Sequence, residues 1–325
     1  MNHPAYKMDR LYMNVKPMIQ WGHMKGESSS MRGKLIVIMG TNASGKSGLG
    51  VELALKYGGE VVSADSRQVF RGLDLGSGKI TPDETKGVPH HLIDVCQPGD
   101  FFSMADFQRL AYEAIDGIVA RGKIPFLVGG TGLYVDSVVD GYELSDIEPD
   151  LNLRAHLETF ETPALYEMLK EKLPDTDIDP KNRNRVMRAL ERLAADDYHP
   201  GRRDPRYETL KLGVTWPRET LKARIDERLD RRLKQGMVEE VKNLMDAGVS
   251  RSFLMKLGLE YRYLTRYLLG ELSYDQMVLE LGNAIKKFAK RQMTWFRREE
   301  NLHWLDMAGE PVEQASELID AFLAE

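Results

Sequence analysis

The feature that most restricts the fold is Gly40-Thr41-Asn42-Ala43-Ser44-Gly45-Lys46-Ser47, which matches G-x-x-x-x-G-K-[ST] in full. It follows the short apolar run Leu35-Ile36-Val37-Ile38-Met39 and precedes a helical pattern over 47–57. A continuous apolar run of that length is how a strand covered on both faces reads. Strand, glycine-rich turn and helix together make a phosphate cradle: successive backbone N–H groups turn inward, and the helix N-terminus adds partial positive charge. Lys46 supplies a mobile point charge, and the Ser47 hydroxyl is a ligand for Mg²⁺. The motif by itself leaves open which phosphate is held.

Strand and helix patterns keep alternating beyond it. Glu60–Ser63 reads as a second strand, His91–Val95 as a third, 105–120 as an amphipathic helix and Ile124–Val128 as another buried strand. Such alternation implies parallel βαβ units. From about 141 to 206 the chain turns to polar helices punctuated by Pro149, Pro163, Pro174, Pro180, Pro200 and Pro205. Lys211–Trp216 reads as a returning strand, followed by charged helices to about 298, a short strand at Leu302–Leu305 and a last helix. The expected class is α/β: a P-loop NTPase-like core with a mostly parallel sheet over 33–140 and 207–325, and a helical subdomain inserted at 141–206. Residues 1–32, with Met1, Met8, Met13, Met18, Met24 and Met31, have no apolar segment of signal-peptide type and read as a flexible tail.

Composition narrows the partners. No apolar run approaches the roughly 18–20 residues of a membrane span. The one cysteine, Cys96, excludes an internal disulfide framework and a cysteine-rich zinc site, so a cytoplasmic location is expected. Net charge is −5, so a nucleic acid would have to be met by local basic stretches.

Two further observations bear on the chemistry. Hydrolytic P-loop enzymes place an aspartate at the end of a buried strand to hold Mg²⁺, yet Ile124–Val128 runs into Gly129-Gly130-Thr131-Gly132 with no carboxylate; Asp94 is a possible substitute. The cradle therefore fits a diphosphate that leaves during a reaction. The second strand runs into Asp65-Ser66-Arg67-Gln68. Strand ends of an open α/β sheet line the ligand crevice, so Asp65 can accept a proton there, and Ser66 and Gln68 can read a base edge. The bland alternative for Asp65 is an Asx-turn.

These marks, taken in order, resemble the tRNA dimethylallyltransferases. They are the phosphate loop, Ser63 to Lys79 (Ser-Ala-Asp-Ser-Arg-Gln-Val-Phe-Arg-Gly-Leu-Asp-Leu-Gly-Ser-Gly-Lys), Pro89-His90-His91-Leu92-Ile93-Asp94 and Phe102-Ser103-Met104-Ala105-Asp106-Phe107. Val128 to Tyr134, Arg185-Val186-Met187-Arg188-Ala189-Leu190-Glu191 and Lys290-Arg291-Gln292-Met293-Thr294-Trp295-Phe296-Arg297 complete the set, which spans about 34–306. The resemblance implies dimethylallyl diphosphate as donor, Mg²⁺, and attack by the N6 of the adenosine at position 37, beside the anticodon. Residues 40–47 would hold the diphosphate, with Lys46 and Ser47 central. Asp65 would be the general base, Thr131 a hydrogen-bonding group near the base and Arg224 the diphosphate clamp, with Arg228 a weaker candidate. The anticodon stem-loop would meet Asp65, Ser66, Arg67 and Gln68, and Arg154, Asn184, Arg185, Val186, Met187 and Arg188. A monomer is expected.

The basic stretches at 181–206 and 286–298 suit such a partner, the second interleaved with Phe288, Trp295 and Phe296, which can stack on loop bases or anchor a core. Departures from the family pattern are Phe70, Ser77, a short 141–206 segment and an altered Gly258-Leu259-Glu260-Tyr261. Competing readings are an adenylate isopentenyltransferase, disfavoured by the basic C-terminal helix, and a nucleotide-binding regulatory module, disfavoured by Asp65 and the missing hydrolytic aspartate.

Overall fold

Strand β1 (Lys34–Gly40) is buried along its whole length after Lys34, which is possible only for a strand flanked by others and covered on both faces. Its side chains divide with period two. Leu35, Val37 and Met39 enter one hydrophobic cluster, while Ile36 and Ile38 enter another on the opposite face. The computed structural model describes residues 33–144, 150–196, 198 and 203–325; the proposed tail at 1–32 lies outside the described residues.

Along the chain come α1 (Lys46–Tyr57), β2 (Glu60–Ala64), α2 (Pro82–Thr85), β3 (His90–His91), α3 (Met104–Ala120), β4 (Pro125–Gly129) and α4 (Gly132–Val139). Three helices follow: α5 (Leu151–Glu158), α6 (Thr162–Lys172) and α7 (Arg183–Ala194). The chain then returns through β5 (Glu208–Thr215), α8 (Arg218–Lys234), α9 (Met237–Asp246), α10 (Arg251–Leu257), α11 (Leu259–Leu268), α12 (Tyr274–Phe296), β6 (Leu302–Asp306) and α13 (Pro311–Ala324). The six strands pair in the order β3-β2-β4-β1-β5-β6, every pair parallel. Helices α1 and α13 cover one face through Leu49, Leu53 and Ile319, and α3 and α4 cover the other through Phe107, Ile115 and Val138. Helices α8 to α12 share a separate core around Leu229, Val241, Leu264 and Leu281.

One expected strand is corrected. The run His91–Val95 extends only as His90–His91, because Leu92 and Asp94 take positive φ values of 63° and 57° and break the extended backbone. Between α4 and β5 the described helices have their own small core of Leu157, Leu165, Leu169, Val186 and Leu190. The chain leaves and re-enters at one neck, where Tyr142 and Arg203 form an antiparallel bridge and the Asp204 N–H donates to the Gly141 carbonyl at 2.9 Å. Gly141 has φ +62°, and a Cβ there would lie 1.9 Å from the Asp204 carbonyl oxygen, so only glycine fits this neck.

Register sets up the site. Ala64 of β2 and Met39 of β1 both lie beside Gly129 of β4, so the three strands finish abreast and their following loops share one crevice.

Candidate active site

The loop between β1 and α1 turns tightly, with Ala43 at φ 61° and Gly45 at φ 90°. A Cβ at Gly40 would lie 2.4 Å from the Val214 side chain and 2.8 Å from Ser44 Oγ, so the turn needs the bare backbone. Other elements hold the loop from outside. Trp216 Nε1 donates to the Ser44 carbonyl at 2.8 Å, and Arg224 Nε donates to the Ala43 carbonyl at 3.0 Å while its guanidinium lies 4.5 Å over the Trp216 ring. Gln292 Oε1 accepts from the Asn42 N–H at 3.0 Å. Inside the loop the Ser44 hydroxyl is buried and has no hydrogen-bond partner among the described residues. A buried hydroxyl is costly to leave unsatisfied.

The loop forms one wall of a cavity of about 430 Å³. Facing it are Ser77, Gly78 and Ile80, the α8 residues Arg224, Glu227, Arg228, Arg231 and Arg232, and Glu260 of α11, with Asp65 and Gln68 on the β2 side. Arg224, Arg228 and Arg232 recur every fourth residue and so share one face of α8. Their crowding shows in the acid–base chemistry. Burial pushes Lys46 down to about 8, the Arg228 guanidinium adds to the fall, and the Asp65 carboxylate offsets part of it. Burial and then Arg232 push Arg228 down to about 10, against the pull of Glu260 and Asp65. Arg232 is lowered in the same way, first by burial. Lys46 and the four arginines outnumber the carboxylates Asp65, Glu84, Glu227 and Glu260 in this lining, and cations held this close make a site that favours a multivalent anion. Gly78, at φ +66°, lets the guanidiniums in: a Cβ there would sit 2.2 Å from an Arg228 nitrogen and closer still to Arg232. Ser47 and Asp65 line the same cavity and are oxygen donors of the kind a hard divalent cation takes; among the described residues no cluster of three His, Cys, Asp or Glu forms a closed metal cage.

The end of β2 supplies the second half. Asp65 Oδ1 accepts from the Arg67 N–H at 2.9 Å, so the Asx-turn is real. Asp65 nevertheless lines the cavity, and one oxygen held by the turn leaves the other available to a proton. Thr131 Oγ1 accepts from the Ser66 N–H at 3.2 Å, which leaves its own hydroxyl hydrogen free to donate. Gln68 braces the turn, accepting from Ser63 Oγ at 3.0 Å and donating to the Gly78 carbonyl at 3.2 Å. Arg67 Nε donates to the Leu257 carbonyl at 3.2 Å beneath Gly258, where a Cβ would lie 2.2 Å from that nitrogen.

Comparison with known proteins gives this geometry a context. The family model described as IPP transferase matches residues 68–299, and that described as isopentenyl transferase matches 33–98. A tRNA dimethylallyltransferase 2 of Shewanella sediminis is 44% identical over 295 residues, covering 88% of this chain and 97% of that protein. A tRNA dimethylallyltransferase 1 of Geotalea daltonii is 45% identical over 287 residues, with 86% and 93% covered. The chain belongs to the tRNA dimethylallyltransferase family. Its fold is likewise similar to the solved tRNA isopentenylpyrophosphate transferase of Bacillus halodurans (TM-score 0.69, 38% identity, 90% of this chain and 95% of that one). It is also similar to a eukaryotic dimethylallyltransferase solved acting on tRNA (TM-score 0.77, 25% identity, 90% and 79% covered).

For this dimethylallyltransferase chain the residues expected to meet RNA separate into groups. Asn184 and Arg185 are exposed on α7. Val186 is fully buried and Met187 nearly so in the core under α7, so their side chains are scaffold and only their main chain is left to meet RNA. Arg154 is held by Glu191, with Nε to Oε1 at 2.6 Å and a second bond at 2.9 Å, and Arg188 reaches the same carboxylate at 3.2 Å. Phe296 is core rather than a stacking platform, and the Trp295 indole N–H donates to Asp136 at 3.2 Å. Asp94 is corrected as a metal ligand: Lys79 binds its carboxylate at 2.5 Å, outside the cavity lining. Sequence reasoning missed Arg232, Glu260 and Gln292. The fourfold spacing from Arg224 was the available signal for the first; Glu260 and Gln292 stand in stretches compared with the family, but nothing in those stretches gives them a role.

Proposed function

We propose that this chain transfers a dimethylallyl group from dimethylallyl diphosphate to the N6 of the adenosine at position 37 of tRNA, releasing diphosphate. The observation that carries this reading is that Asp65 opens onto the same cavity as the phosphate loop and the Arg224–Arg228–Arg232 face. The cradle with Lys46, Ser44 and Arg224 would hold the diphosphate. An exocyclic amine conjugated to a purine is a poor nucleophile. Asp65 would therefore take the N6 proton as the N6–C1 bond forms and the C1–O bond breaks, with Thr131 donating a hydrogen bond that orients the base. The negative charge gathering on the leaving diphosphate would be met by Lys46, Arg224 and Arg228, where preorganised cations count most. Ser47 would hold Mg²⁺, which would supply further charge neutralisation.

The anticodon stem-loop would lie across the helices at 151–194 and the basic face of α12, so that the adenosine can be flipped into the crevice at a cost of a few kcal/mol offset by phosphate and loop contacts. The test is incubation with labelled dimethylallyl diphosphate and either total tRNA or AMP. Label in tRNA is expected. Label in AMP alone would reassign the chain to nucleotide prenylation, and donor binding with no transfer to either would reduce it to a binding module.

A further inference from the structure

The side chain that joins the two halves of the site lies outside the cavity. Gln292, on α12 and only 7% exposed, accepts from the Asn42 N–H of the phosphate loop at 3.0 Å and donates through Nε2 to the Gly130 carbonyl at 2.8 Å. A carboxamide accepts through its oxygen and donates through its nitrogen, so Gln292 serves a backbone N–H and a backbone carbonyl at once, and these two partners set which end is which. The loops it bridges are already close: a Cβ at Gly130 would lie 3.1 Å from the Gly40 carbonyl oxygen and 3.0 Å from Gln292 Nε2. One turn further along α12, Trp295 bonds Asp136 and fills the space beside Gly132, where a Cβ would lie 2.5 Å from the indole nitrogen. Helix α12 thus grips the residues on both sides of Thr131, and through Gln292 it also grips the donor cradle. Lys287, Lys290, Arg291 and Thr294 of the same helix line a shallow concavity with Arg298 just beyond its end.

We infer that Gln292 is a positioning residue for prenyl transfer: it sets the distance between the diphosphate cradle and the Thr131 loop, and so between donor carbon and acceptor nitrogen. The inference rests on the prenyl-transfer reading above. Misplacing reacting groups by about 1 Å can cost on the order of 100-fold in rate. A purely structural tie would lower thermal stability and leave the chemical step unchanged.

The test is single-turnover transfer at saturating enzyme and donor, with dissociation constants for dimethylallyl diphosphate and tRNA measured alongside. Gln292→Met keeps the volume and removes both bonds. Gln292→Glu keeps the bond from Asn42 but sets a carboxylate against the Gly130 carbonyl. Both are expected to slow the single-turnover step by about 10- to 100-fold, with both dissociation constants within about threefold of wild type. In a Thr131→Ala background the Gln292→Glu penalty should shrink to within about twofold, because the loop it positions has lost its functional group. Unchanged rates in both variants, a loss confined to donor affinity, or a full additive penalty in the Thr131→Ala background would overturn the inference. Should Gln292→Met not fold, Gln292→Glu carries the same comparison. Failure of the wild-type chain to prenylate tRNA would instead overturn the reading of function itself, and the two failures are read from different samples.

Discussion

Asp65 shows how one side chain can satisfy both a bland and a functional expectation. It caps its own turn through Oδ1 and still lines the cavity. Asp65→Ala is expected to leave both substrates bound and to cut the single-turnover rate by about 10²–10⁴-fold, the usual worth of a positioned base. Loss of the cap should cost about 1 kcal/mol of stability, visible as a lower melting temperature. A normal rate with a lowered melt would remove Asp65 from the mechanism. Lys46 makes a second prediction with a definite sign. In the free protein it is pushed down to about 8, first by burial and then by Arg228. A bound diphosphate restores the charged form, so at pH 9 binding should take up close to one proton. Calorimetry in buffers of different ionisation heat reads that number. Lys46→Ala should abolish both the uptake and tight donor binding while tRNA affinity stays within a few-fold; loss of tRNA binding with donor binding intact would refute it.

At the scale of elements, α8 and α12 both carry basic residues and use them in opposite ways. Helix α8 turns Arg224, Arg228 and Arg232 inward to a cavity, whereas α12 keeps Lys287, Lys290 and Arg291 exposed. Exposed cations facing RNA act by displacing counterions. The affinity for tRNA should therefore fall with salt at a slope of about −0.7 per single-strand phosphate neutralised. Lys290→Ala combined with Arg291→Ala is expected to flatten the slope by up to about 1.4, with the donor dissociation constant unchanged. A flat salt dependence in the wild type would mark α12 as only a solvated face. The repeat of arginines on α8 was legible in the sequence as a spacing; that it faces the phosphate loop depends on Gly78, in the loop before α2, and on Glu260 of α11, neither of them next to α8 in the chain.

For the whole molecule, the end of the sheet opposite the site carries a separate stabilising network. Glu60, buried at the start of β2, accepts from Arg121 at 2.7 Å, from His91 at 2.7 Å and pairs with Lys123 at 3.2 Å. Burial alone would raise its pKa, but the hydrogen bonds from Arg121, His91 and Lys123 outweigh it and bring the group to about 2. Because the folded value lies below the unfolded one of about 4.5, this stability is fully present above pH 4.5 and is lost as pH falls from 4.5 towards 2. Arg121 and Lys123 are each nearly half exposed, so after screening the network is worth about 2 kcal/mol. Glu60→Gln should lower the melting temperature at pH 7, with the difference from wild type closing below pH 4. A gap that stays constant to pH 3 would show that packing, not charge, is what the substitution removes.

What the amino-acid sequence determined by itself was whatever rests on neighbours in the chain. The phosphate loop, the parallel α/β alternation, the turn at Asp65 and the family resemblance all follow from short windows, because backbone conformation responds to residues a few positions away. The tertiary structure alone decided the partners. It buried Val186 and Met187 beneath α7, shortened the third strand at Leu92, tied Arg154 to Glu191 and set Gln292 between Asn42 and Gly130. Each of those outcomes joins groups 37 to 250 residues apart or depends on which helix face finds a core, as with Arg154 and Glu191 or Asn42 and Gln292. Contacts of that kind are set by how packed elements meet, and no local period records them.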